Sequence, residues 1–284
     1  MNSAGELTFC RRVGTITANQ EQMGAATMEE LELLSTVNRK YLECFCRRGR
    51  DGFFVRYNDP ALPDMYCHNF LYLKKAMNAR LLAKTLNEKM DAARAAGQPY
   101  FRLELEEDPA LRPDAYPAGG EIEHNGVYTL TPGREEVQRW TFSPAFSVRP
   151  MTAQSEAKAL AEVQTDTVSG ADFCERRAER KTRVFVSGGN CRNFLAYLAD
   201  TPVGTCELFE HGGMAKLEDL SVRPEFRHQK AASTLLRTLA LTALDDGCTT
   251  LTLTADEDDT PKELYQALGF RKVAENWAIT WKLC

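Results

Sequence analysis

The sequence predicts an α/β (α+β) fold: a mixed, mostly antiparallel central sheet flanked by helices, with two such units in tandem. Three observations predict it. Leu217 to Leu236, LEDLSVRPEFRHQKAASTLL, reads as a buried strand, a tight basic turn and the start of an amphipathic helix. The residues after it continue as strand, helix and strand. The first half of the chain repeats that order in weaker form, and 284 residues suffice for two units.

In chain order, LTFCRRVGTIT within the first 27 residues reads either as a strand pair or as a tail. A helix is expected over Met28 to Cys46 and a strand over Gly52 to Tyr57. Asn69 to Leu73 (NFLYL) reads as another strand. Lys75 to Ala96 is a long helix with Met77, Leu81, Leu82, Leu86 and Met90 as its apolar face, and Gly97 closes it. PYFRLELEED alternates as a strand with Phe101, Leu103 and Leu105 on one side. NGVYTLTP, from Asn125, supplies a later strand. Pro132, Gly133, Pro144 and Pro150 then punctuate the chain, placing a boundary between units at residues 1–141 and 142–284.

In the second unit FSVRPMT opens a strand, and helices follow over Ser155 to Thr167 and Ala171 to Thr182. FLAYLAD, TPVGTCELFEH and GGMAKLEDLSV read as three antiparallel strands, turning at Asp200-Thr201-Pro202 and His211-Gly212-Gly213. Ala232, Leu235, Leu236, Leu239, Ala243 and Leu244 then recur at three- and four-residue intervals. TLTLTA ends in the acidic run Asp256 to Asp259. PKELYQALGF is a short helix with Pro261 near its start and Gly269 as its stop, and RKVAENWAITWKL reads as two strands.

Composition narrows the function. With 43% hydrophobic and 26% charged residues the chain is an ordinary globular sequence. A net charge of −5 argues against a general nucleic-acid binder, whose footprint is basic. No apolar run has transmembrane length and no signal-peptide pattern follows Met1, so no membrane partner is expected. Nine cysteines without a Cys-x-x-Cys pair fit scattered reduced thiols in a cytoplasmic protein, and no metal is expected. The oligomeric state is left open.

The turn after Val222 carries the chemistry. A helix N-terminus offers unpaired N–H groups and the positive end of the helix dipole, which together bind phosphate. Arg223, Arg227, His228 and Lys230 add positive charge around it. The competing reading is an ordinary strand–helix connection with solvated charges.

VRPEFRHQKAASTLL resembles the acetyl-CoA-binding motif of the GNAT superfamily of N-acetyltransferases, Arg/Gln-x-x-Gly-x-Gly/Ala. Arg227 fills its first position and Ala232 its last. LYQALGF, residues 264–270, resembles the family's second common element, and the likeness spans residues 146 to 284. It implies a GNAT-like sheet, acetyl-CoA as co-substrate and an amine as acceptor. The first half is read as a degenerate GNAT-like unit, with an unrelated α/β domain as the alternative.

The resemblance also implies site residues. Arg227, His228, Gln229, Lys230, Ala231, Ala232 and Ser233 would cradle the pyrophosphate. Leu220, Ser221 and Val222 would meet the pantetheine arm through their backbone, and an N–H there would stabilise the oxyanion. Tyr265 matches the tyrosine that protonates the departing thiol, and a phenol near pKa 10 suits that task. The alternative role for its ring is packing between helix and strand. Glu218 is the candidate general base, directly or through water; Asp219, next along an ordinary strand, should face the other side. Lys230 departs from the motif's central glycine. With ordinary helical torsions it would be tolerated there, its side chain turned outward to add positive charge. Two functions compete: an acetyl-CoA-dependent N-acetyltransferase using direct attack in a ternary complex, and a non-catalytic tandem protein that binds CoA or another ligand.

Overall fold

The computed structural model describes residues 26–75, 77–165, 170–258 and 261–283. The LTFCRRVGTIT segment, Thr167 and Asp259 lie outside the described residues. The elements in order are α1 (Met28–Glu43), β1 (Arg47–Asp51), β2 (Phe54–Asn58), β3 (Phe70–Leu73), α2 (Ala79–Ala95), β4 (Tyr100–Leu105), β5 (Glu121–Leu130) and α3 (Arg134–Gln138). The second half adds β6 (Phe146–Pro150), α4 (Ala157–Thr165), α5 (Ala171–Phe185), β7 (Cys191–Leu198), β8 (Thr201–His211) and β9 (Met214–Val222). It ends with α6 (Ala231–Asp245), β10 (Thr250–Asp256), α7 (Pro261–Ala267) and β11 (Arg271–Lys282).

All eleven strands form one sheet, in the order β1-β2-β3-β4-β11-β5-β10-β9-β8-β7-β6. Two pairs are parallel, β3 with β4 and β9 with β10. Each is joined by a helix, α2 or α6, as parallel pairing requires. The strand–helix–strand unit therefore occurs once in each half. Strands are exchanged between the halves. β11, from the end of the chain, lies between β4 and β5 of the first half. β5 in turn lies between β11 and β10 of the second.

The core divides by face. Leu235, Leu236, Leu239 and Ala243 of α6 pack with Leu217, Leu251 and Phe270 on one side. Leu34, Val37 and Tyr41 of α1 join α4, α5, Leu195 and Phe209 on the other. Leu82, Leu86 and Met90 of α2 cover Leu103, Leu105 and Trp281. Phe101, Leu103 and Leu105 share this core, as their alternation predicts.

Three expectations change here. RKVAENWAITWK is one strand, not two. A bulge between Lys272 and Ala274 lets it bend while staying paired, and its polar middle, Glu275-Asn276, lies in the sheet and makes no turn. β1 was not expected, because RRGRD has no apolar face; it is an exposed edge strand, where basic residues discourage further pairing. Leu81 does not join the apolar face of α2 and remains 45% exposed.

Candidate functional site

β9 and β10 pair only at Met214–Lys216 with Thr250–Thr252. β9 then runs on to Val222 beside β8 and β10 to Asp256 beside β5, without pairing to each other. The two strands diverge into a cleft of about 230 Å³, lined by Glu218, Asp219, Leu220, Thr254, Asp256 and Tyr265 among others.

A bulge in the pairing of β9 with β8 sits in the stretch that β10 does not pair. Thr205 pairs with Ser221 and Glu207 with Glu218, so Asp219 and Leu220 together oppose Cys206. Asp219 takes φ +57°, in the left-handed region. Beyond it, the Arg223 N–H donates to Val203 O at 2.9 Å. Amides of an antiparallel strand alternate in direction, so Ser221 also turns its N–H to β8. The N–H groups of Leu220 and Val222 therefore face the cleft.

The bulge corrects the expectation that Asp219 faces away from Glu218. The left-handed residue breaks the two-residue alternation, and both carboxylates turn toward α1 and α5. Glu218 pairs with Lys216, whose Nζ lies 5.3 Å from the centroid of the Tyr41 ring of α1. Asp219 meets Arg177 Nη2 at 2.5 Å and Lys181 Nζ at 3.4 Å, both from α5. Burial pushes the Asp219 carboxyl up, but Arg177 and then Lys181 outweigh it and hold it well below the usual carboxylate range. Lys181 also pairs with Glu207, which accepts a hydrogen bond from the Tyr41 hydroxyl at 2.7 Å. Burial pushes the Glu207 carboxyl up to about 7, against the pull of Lys181.

These buried groups escaped the sequence reading. Arg177 and Lys181 sit in the run CERRAERKTR, which looks like a solvated helix face. Their i, i+4 spacing puts them on one face, and only the fold shows that it covers the bulge.

The turn after β9 bends through two left-handed residues, His228 (φ +58°) and Lys230 (φ +72°). Lys230 is the N-cap of α6, and no side chain caps that end. Its torsions are not helical, which corrects the condition set for it above. This is the conformation that glycine adopts freely and lysine resists. Among the described residues, the N–H groups of residues 228–233 have no acceptor. Ala231, Ala232 and Ser233 keep the first turn of the helix slim, while Arg227, His228, Gln229 and Lys230 are exposed around it. Arg227 is partly committed, its Nε donating to Val222 O at 3.1 Å. A run of open N–H groups at a helix N-terminus, ringed by basic side chains, fits a pyrophosphate.

Tyr265 of α7 lines the cleft and packs edge-on to Phe270 at 6.2 Å. On the α1 side a chamber of about 800 Å³ lies between the halves. Glu104, Glu106, Tyr72, Lys216 and Thr252 line it, and Thr254 borders both chamber and cleft. Burial raises the Glu104 carboxyl against the pull of Arg102. Among the described residues no cluster of three or more His, Cys, Asp or Glu side chains could hold a metal ion. No described helix is long and apolar enough to cross a membrane.

Comparison with known proteins identifies the second half. Residues 158–270 match the model of the acetyltransferase (GNAT) family. They form a GNAT domain. A 64-residue stretch is 41% identical to the thialysine N-epsilon-acetyltransferase of Bos taurus. That match covers 22% of this chain and spans 38% of the length of that relative. Among solved structures, a functionally unknown conserved protein from Staphylococcus epidermidis has a TM-score of 0.71 at 15% identity, over 88% of this chain and 99% of that one. A GCN5-related N-acetyltransferase from Kribbella flavida gives 0.61 at 14% identity, over 87% and 94%. A tandem GNAT protein from the clavulanic acid biosynthesis pathway gives 0.54 at 13% identity, over 83% and 81%. At such identities these likenesses show the fold, and they extend it over both halves of the chain.

Proposed function

We propose that this protein transfers the acetyl group of acetyl-CoA to an amine by direct attack in a ternary complex. The observation that carries this reading is the continuity of the site. The diverging strands, the Leu220 and Val222 N–H groups and the open N-terminus of α6 follow one another inside the GNAT domain.

Acetyl-CoA supplies an activated thioester. The N–H groups of residues 228–233 would hold its pyrophosphate, with Arg227, His228 and Lys230 contributing charge. Leu220, Ser221 and Val222 would flank the pantetheine arm, and a cleft-facing N–H would stabilise charge on the carbonyl oxygen. The acceptor nitrogen attacks the carbonyl carbon, a C–N bond forms and the C–S bond breaks. Glu218 would take the amine proton, because it is held by one cation, Lys216, whereas Asp219 is held by two, Arg177 and Lys181. Tyr265 would donate its proton to the departing sulfur.

The acceptor would approach from the α1 side, through the chamber that ends at Thr254. Its wall carries Glu32, Glu104, Glu106 and Glu275 but also Arg39, Arg48, Lys74, Lys75 and Lys216, so it is the net acidity of the chain, not this lining, that favours a cationic amine. A cytoplasmic setting belongs to the same proposal, supported by nine scattered cysteines.

A second reading, CoA binding without turnover, is favoured by one observation: Lys230 occupies a left-handed position inside the cradle. Thiol release from acetyl-CoA, measured with a panel of alkylamines, diamines, amino acids and a lysine peptide, separates the two. Turnover with at least one amine is expected. Silence across the panel alongside clear CoA binding by calorimetry supports the second reading. Tyr265→Phe should lower turnover; an unchanged rate across pH removes Tyr265 as the acid.

A further inference from the structure

We propose that Arg177 and Lys181 are positioning residues that lock the Asp219 bulge, so that the Leu220 and Val222 N–H groups face the thioester. This deepens the acetyl-transfer reading and rests on it.

The bulge decides which amides face the cleft. Asp219 and Leu220 share one partner on β8, which shifts the register of everything after them by one residue. Were Asp219 to relax to ordinary strand torsions, the alternation would invert. Ser221 would then turn its N–H into the cleft, while Leu220 and Val222 turned theirs toward β8. An L-residue at φ +57° resists that conformation, although aspartate tolerates it better than most. Something must therefore hold it.

Three side chains converge on that one carboxylate. Arg177 Nη2 lies 2.5 Å and Lys181 Nζ 3.4 Å from Asp219 Oδ2. Gln164 Nε2 of α4 lies 3.4 Å from the same oxygen. Arg177 and Lys181 are almost wholly buried, with 6% and 1% of their side chains exposed. Buried cations need buried anions, so neither can leave without stranding a charge. Lys181 is held in turn by Glu207, and Glu207 by the Tyr41 hydroxyl of α1. The first half of the chain thus braces the clamp that shapes the cleft in the second.

The test uses the full chain, acetyl-CoA, and whichever amine of the panel the wild type acetylates. Asp219→Asn keeps the shape of the side chain but weakens both ion pairs. The expected result is a folded protein whose kcat falls roughly 10- to 100-fold, less than the roughly 100- to 1,000-fold for deleting an oxyanion donor outright because the bulge is loosened and not abolished, while its Kd for CoA moves less than about threefold. Amide exchange at residues 219–222 should quicken in the same variant. Arg177→Lys, which keeps the charge but loses the planar fork, should lower kcat several-fold with unchanged CoA binding; it carries the test if Asp219→Asn does not fold. Wild-type kcat in a folded Asp219→Asn, or in Arg177→Lys where Asp219→Asn is unfolded, overturns the positioning role and leaves acetyl transfer standing. A parallel loss of kcat and CoA affinity also overturns it, because that marks general damage. A wild type that binds CoA but acetylates nothing overturns both.

Discussion

Lys230→Gly tests the cradle, and the structure fixes its size. Lys230 stands at φ +72° and ψ +16°, where an L-residue is disfavoured by about 1–2 kcal/mol. Glycine removes that strain but adds about 0.5–1 kcal/mol of unfolded-state entropy to be lost on folding. The Lys230 side chain is exposed and, among the described residues, no ion pair holds it, so little else offsets the change. The net expectation is a gain of about 0.5–1 kcal/mol, or roughly 1–4 °C in Tm for a chain of this size. For the ligand, an exposed cation near a phosphate contributes about 1 kcal/mol or less in water, while a bare backbone allows closer approach. These effects oppose one another, so the Kd for CoA should change less than about fivefold. Thermal unfolding and calorimetry with CoA measure both quantities, with Lys230→Ala as the control that keeps the strain and loses the charge. A lower Tm for Lys230→Gly refutes the strain argument. Binding tightened more than about tenfold would mean that lysine obstructs the phosphate.

Two further perturbations test the fold around the site. Residues 142–284 expressed alone lose β5, which pairs with β10 at six positions and with β11 at nine, and which buries Tyr128 and Thr129 completely. No cooperative unfolding transition is expected, and a folded fragment with wild-type CoA affinity would contradict the exchanged-strand sheet. His68 is 2% exposed, stacks on Phe45 at 5.0 Å and meets Asp59 at 3.3 Å. Burial, only partly offset by Asp59, pushes its pKa down to about 4. The unfolded state, titrating near 6.5, then binds more protons in between. This contribution is complete above about pH 6.5 and disappears as pH falls through about 4, a loss of about 3 kcal/mol. His68→Gln should flatten denaturation midpoints across that window; parallel curves for both proteins would reject the account.

The turn and helix start at Arg227 to Ser233 are legible because small residues before an apolar run of helical period are local signals. The helices and most strands followed from periodicity for the same reason. The bulge was not legible, since nothing marks Asp219 except that aspartate tolerates left-handed torsions. Arg177 and Lys181 looked solvated because helix periodicity does not reveal what covers a face. The exchange of β5 and β11 depends on pairings far apart in sequence, which turn chemistry does not encode. Glu275-Asn276 misled for a related reason: a polar pair mid-strand reads as a turn until the partner strands are known.

Among the described residues, the repeated strand–helix–strand unit leaves an uncapped helix N-terminus beside diverging strands in the second half and not in the first. In the first half β3 and β4 stay paired to the last residue of each, Leu73 with Leu105, so they do not diverge. Only residues 74–78 separate β3 from α2, and the Asn78 side chain accepts from the Leu81 N–H. That cap satisfies a donor which a phosphate would otherwise use. In the second half pairing stops at Lys216 while the strand continues to Val222. Residues 223–230 then lead to a helix end that no side chain caps. Both halves contain the strand–helix–strand unit, but among the described residues strand divergence and an open helix N-terminus coincide only in the second. The first half's part in the site is made instead through β5, the chamber wall and Tyr41, which is why removing it should disturb catalysis even though it holds no cradle of its own.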